Sequence, residues 1–211
     1  MKSGIIFDMD GTLWDSADGV AKSWTEVVNE KHDKDRVITT EDIHNIMGLT
    51  MDTIADRLFP ELPPEERMKL LDDCGNVEND YLRKHGGILY PELEETLAKL
   101  KEKYHLYIVS NCQSGYIEAF LEYYDFGKYF EDIECFGNNN LVKGDNIRLV
   151  CERNNLDRAV YVGDIMGDYV SSCEAGVDFI HAAYGFGTID ADVVTIQSFA
   201  ELPEAVEKVF K

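Results

Sequence analysis

The chain has 211 residues, 45% of them hydrophobic, which is enough for one large domain or a medium domain carrying an insert. Its 41 acidic residues against 20 basic ones leave a net charge of −21, a field that repels nucleic acid and anionic membranes, so any phosphate must be bound by local positive charge, backbone N–H groups or a metal. No segment is apolar enough to span a bilayer, the first apolar stretch starts at Gly4 with no room for a secretory signal, and Cys74, Cys112, Cys135, Cys151 and Cys173 include no Cys-x-x-Cys pair. The expectation is a cytoplasmic protein with free thiols and no thiolate zinc site.

Short apolar runs at Gly4–Phe7, Leu106–Val109, Ala159–Val162 and Phe179–Ala183, with a weaker one at Ile133–Phe136, read as strands. None alternates between polar and apolar, as expected of strands buried on both faces of a parallel sheet. The segment from Asp15 to His85 breaks this pattern. Trp24, Val27 and Val28 mark one helical face, Thr39 and Asp42 resemble a capping box, Met47-Gly48-Leu49 reads as a turn, and Pro63-Pro64-Glu65-Glu66 opens a further helix. Residues 15–85 are therefore expected to be a helical insert, with Gly86-Gly87 as a flexible return. Amphipathic segments follow at Pro91–Lys103, Tyr116–Tyr124, Asn146–Asn154, Tyr169–Ala175 and Glu201–Phe210. Strand and helix in alternation predict a doubly wound, Rossmann-like α/β domain over residues 1–14 and 86–211.

In such a sheet, ligands bind outside the carboxyl ends of the strands. The polar residues just after the apolar runs are Asp8 and Asp10, Ser110 and Asn111, and Gly163-Asp164 with Asp168 one turn on. Asp8 and Asp10, two apart on an extended segment, point to one side. Two such carboxylates with Asp164 and Asp168 need a counter-charge, and an all-oxygen site suits magnesium. The five histidines show no ligand-like spacing for zinc.

Asp8-Met9-Asp10-Gly11-Thr12, Val109-Ser110-Asn111, Lys143 and Gly163-Asp164-Ile165-Met166-Gly167-Asp168, in this order, resemble the four motifs of the haloacid dehalogenase (HAD) superfamily. The helical insert is similar to the α-helical cap of its phosphoglycolate phosphatase-like branch, and Tyr90-Pro91 resembles the cap-return segment, with Glu92 where a glycine is usual. Gly144 stands where many relatives have proline after the lysine. The resemblance implies a Mg2+-dependent phosphatase acting on a small phosphomonoester of phosphoglycolate, sugar-phosphate or nucleotide monophosphate type. The alternatives are a phosphosugar mutase, a pyrophosphatase or a non-catalytic binding module. It further implies Asp8 as nucleophile and Asp10 as acid and base. Thr12, Ser110, Asn111 and Lys143 would serve the substrate phosphate, and Asp8, the Asp10 carbonyl, Asp164 and Asp168 the metal, Asp168 directly or through another ligand. Met47-Gly48-Leu49 resembles the substrate loop of such caps, with Arg57 and Trp14 as further candidates.

Overall fold

The computed structural model describes residues 1–211. Its centre is a parallel sheet of six strands: β1 (Ser3–Phe7), β4 (His105–Ser110), β5 (Asp132–Cys135), β6 (Arg158–Gly163), β7 (Asp178–Ala182) and β8 (Val194–Ile196). They lie in the order β5-β4-β1-β6-β7-β8. The chain builds outward from β1 through β4 and β5 on one side and then through β6, β7 and β8 on the other, so a crevice opens at the carboxyl end of β1, where doubly wound sheets bind ligands.

Helices cover both faces, which is why the strands lack polar alternation. Ile5 and Phe7 face a core shared with α5 (Leu93–Lys101), α6 (Tyr116–Tyr124) and α10 (Leu202–Val209). Ile6, Tyr107 and Tyr161 face a second apolar layer with Ile147 and Val150 of α8 (Lys143–Arg153), while α9 (Met166–Ala175) lies against β6 and β7. At the end of β5, α7 (Phe136–Asn139) makes a single turn.

Between β1 and β4 the chain forms α1 (Ala17–Lys31), α2 (Thr40–His44), α3 (Met51–Leu58) and α4 (Pro64–His85). The Thr39–Asp42 capping box is present, and Pro64 starts α4, since a proline in the first turn lacks only an N–H that would have no intrahelical partner. Val20, Trp24, Val27 and Val28 of α1 are buried with Leu71, Cys74 and Leu82 of α4, and α4 also packs on α6. No helix is long and apolar enough to cross a membrane.

The sequence reading is corrected in four places. The links to the helical segment are paired: β2 (Trp14–Asp15) runs antiparallel to β3 (Ile88–Leu89), and the Tyr124 hydroxyl binds both the N–H and the carbonyl of Gly87. A two-residue ladder is too short to leave a periodic pattern. The helices expected from Asn146 and Tyr169 each begin three residues earlier, at Lys143 and Met166, because neither first turn carries an apolar stripe. The weak strand expected to reach Phe136 ends at Cys135, and Phe136 opens α7. β8 has only three residues and was not anticipated.

Candidate active site

Parallel register brings the motif residues to one sheet edge. Phe7 pairs with Ile108 of β4 and Val162 of β6, so Asp8 leaves β1 beside the ends of both neighbours, and its N–H donates to the Val162 carbonyl at 2.9 Å. The loop then turns at Gly11, where φ is +81° and a β-carbon would collide with the Asp164 carboxylate. Only glycine combines that backbone conformation with such an approach.

Lys143 ties the cluster together. Its ammonium, 3% exposed as a residue, donates to Asp8 Oδ1 at 2.9 Å and to Asp168 Oδ1 at 2.6 Å. Burial works against its charge, but Asp168 and Asp8 outweigh burial and hold it protonated. Asp168 has both oxygens engaged, because Oδ2 accepts from the Asp164 and Ile165 N–H groups at 3.1 Å each. It caps α9 while fixing the lysine.

Asp8 and Asp164 are almost fully buried, and burial followed by repulsion from Asp168 pushes both carboxyls upward, Asp8 to about 7. Asp164 Oδ2 accepts from Phe186 N–H at 2.8 Å, whereas its Oδ1 is buried with no hydrogen-bond partner. One carboxylate oxygen each of Asp8, Asp164 and Asp168 lies within 4.8 Å of the others. One ammonium among these carboxylates leaves excess negative charge. An unpartnered buried oxygen in an all-oxygen cluster fits a hard cation such as Mg2+.

Asp10 sits apart from that cluster, half-buried, and is held by hydroxyls. Tyr116 donates to its Oδ1 at 2.6 Å and Ser16 at 3.1 Å, and these two hydroxyls lie 2.7 Å from one another. Burial raises the Asp10 carboxyl to about 6, against the opposing pull of the Tyr116 and Ser16 hydrogen bonds. Neither hydroxyl was singled out in the sequence, since Tyr116 is 106 residues away and a hydroxyl donor carries no spacing signal.

Ser110 ends β4 and Asn111 follows it at the same edge, and both line a pocket that extends from Asp10 to the helical segment. The Asn111 side chain donates to the Gly48 carbonyl at 2.8 Å, so the Met47–Leu49 turn is fastened directly to the motif after β4. Gly48 has φ of +80°, and a β-carbon there would come within 2.5 Å of Ile165. Thr12 is buried, with Oγ1 unpartnered and its carbonyl accepting from Tyr184. Two candidates fall away. Arg57 is exposed on α3 and absent from the pocket wall, and Trp14 is fully buried against Tyr116, Phe120 and Tyr124 as packing. The sequence reading also passed over Glu78 of α4, which is 3% exposed and faces the same pocket.

Comparison with known proteins points to one family. The haloacid dehalogenase-like hydrolase family matches residues 5–182. A phosphoglycolate phosphatase of Escherichia coli (strain K12) is 25% identical over 87% of this chain and 82% of its own length. One from Psychrobacter arcticus is 28% identical over 88% and 85%. Among solved structures, a predicted phosphatase from Clostridium acetobutylicum superposes with a TM-score of 0.81 at 24% identity over 99% of both chains. CbbY from Rhodobacter sphaeroides in complex with phosphate gives 0.77 at 21% identity over 96% of both. The chain belongs to the haloacid dehalogenase-like hydrolase family and is a hydrolase of its phosphatase type.

Proposed function

We propose that this protein hydrolyses a small phosphomonoester in the cytoplasm, with Asp8 as nucleophile and Asp10 as general acid and base. The observation that carries the reading is the division of labour between the two carboxyls. Asp8 is pinned by Lys143 inside a cation-ready cluster, while Asp10 is held by two hydroxyls at the pocket mouth. An Asp8 oxygen attacks phosphorus as the P–O bond to the alcohol breaks, and Asp10 gives its proton to the departing alkoxide. Asp10 then takes a proton from water, which attacks the aspartyl phosphate; phosphate leaves and the Asp8 carboxylate is restored.

Lys143 draws negative charge from the phosphoryl oxygens, and Ser110 with the Asn111 N–H binds them. Asp168 holds the lysine and the start of α9 in place, acting on the reaction through those partners. Asp8, the Asp10 carbonyl and Asp164 would hold Mg2+, which when bound offsets the repulsion between phosphate and carboxylate. Residues 15–85 form the cap over a core of residues 1–14 and 86–211, and its Gly48 turn closes on Asn111 and Ile165. Five free thiols suit a reducing compartment.

The test is a screen of phosphomonoesters with Mg2+, reading phosphate release. Asp8→Asn, which keeps the shape and removes the attacking charge, should abolish turnover in a folded protein. Chelator should do the same reversibly. Turnover by folded Asp8→Asn would refute the covalent route, and full activity in excess chelator would remove the metal from the reading.

A further inference from the structure

The pocket beyond Asp10 receives whatever the phosphate is attached to, and its walls have an unusual charge pattern. Ten of its 16 lining residues are hydrophobic, its two ionisable carboxyls are Asp10 and Glu78, and no lysine, arginine or histidine is among them. Phosphoglycolate would bring a second anion into this space. No cationic side chain on the wall could pair with it, and Glu78 would oppose it once ionised.

Glu78 is costly where it stands. It emerges from the middle of α4, buried, and accepts from Trp24 Nε1 at 2.5 Å. Burial pushes its carboxyl up to about 8, against the pull of hydrogen bonds from Gln113 and Trp24. A glutamine would satisfy the Trp24 N–H equally well without placing an acid in an apolar wall. A carboxyl therefore needs a reason beyond packing, and a cationic donor arriving with the ligand supplies one. Trp24 and Tyr116, aromatic types that attract cations, line the same space. A cavity volume of about 50 Å³ accommodates a leaving group of a few heavy atoms.

We infer that the pocket selects phosphomonoesters of small amino alcohols, with Glu78 as the residue that reads the ammonium and turns away leaving groups carrying a second anion. This rests on the phosphatase reading above and sharpens it to a substrate class.

Three esters of matched size decide it: 2-aminoethyl phosphate, propyl phosphate and phosphoglycolate, compared by kcat/KM in the wild-type enzyme at about pH 9, where Glu78 is ionised and the amine is still cationic. The expected order is amine, then neutral, then carboxylate, with at least about a hundredfold between the extremes, since like charges brought together in a desolvated site are strongly disfavoured. Glu78→Gln should shrink that span at least about tenfold. A span that survives in folded Glu78→Gln would overturn the role of Glu78. The same ranking should appear in binding to Asp8→Asn, read by tryptophan fluorescence, which needs no turnover. Phosphoglycolate ranking first would overturn the inference and leave the phosphatase intact. Failure of the wild type on all three esters and on acetyl phosphate would instead strike the phosphatase reading, with the binding series still deciding the pocket's preference.

Discussion

Glu78→Gln should make the protein more stable, and increasingly so as pH rises. The carboxyl moves from an ordinary value of 4.5 to about 8 in the folded protein, chiefly through burial. Between those values the native state holds a proton that the unfolded chain has released. Stability is therefore greatest below the unfolded value and is lost as pH climbs through the folded one. Each unit corresponds to about 1.4 kcal/mol, so the wild type should lose about 3 kcal/mol between about pH 5 and about pH 7 from this group alone. Glutamine has no proton to lose. For a chain of this length the loss corresponds to roughly 6–12 °C in Tm. The assay is thermal unfolding of both proteins across that range at constant saturating Mg2+, taking the difference in Tm so that every other titration cancels. A difference that stays flat, or shrinks with rising pH, would refute the claim that Glu78 is a desolvated carboxyl in an apolar wall.

Tyr116→Phe removes the 2.6 Å hydrogen bond to Asp10 while keeping the ring. Because hydrogen bonds to a charged group are worth about 1.5–3 kcal/mol and Ser16 remains, kcat on an alkyl phosphate should fall about tenfold, and acetyl phosphate, whose leaving group needs little protonation, should lose less. Equal losses on both would separate Tyr116 from the proton-transfer role of Asp10. Gly48→Val forces a side chain into a φ of +80° and against Ile165. Its kcat/KM should fall far more for esters that reach the cap than for acetyl phosphate, provided circular dichroism shows the variant folded, and a uniform loss would remove leaving-group selection from this turn.

The sheet was legible because its strands are buried on both faces and leave unbroken apolar runs, and the edge residues were legible because a parallel sheet delivers strand ends to one place. Lys143 stood out only within the ordered set of motifs, since its helix begins in a polar turn that hides it. Glu92, noted in the sequence as standing where a glycine is usual, sits at φ of 60°, so the backbone there keeps a left-handed conformation without the residue that suits it. What could not be read was the support around Asp10. Ser16 precedes α1 and Tyr116 opens α6, and only the folded chain brings their hydroxyls together. Glu78 was hidden for a related reason, since an acid inside a long charged helix reads as solvated surface until Trp24 is found bonded to it.

The central claim is a phosphoryl group carried on Asp8. Acid quenching during turnover, followed by peptide mass spectrometry, tests it directly. The account predicts an acid-stable, hydroxylamine-sensitive phosphoryl group on the peptide containing Asp8, present in the wild type and absent from Asp8→Asn. A wild-type enzyme that turns over steadily with no phosphorylated peptide under trapping conditions, or one in which another residue carries the group, would contradict it.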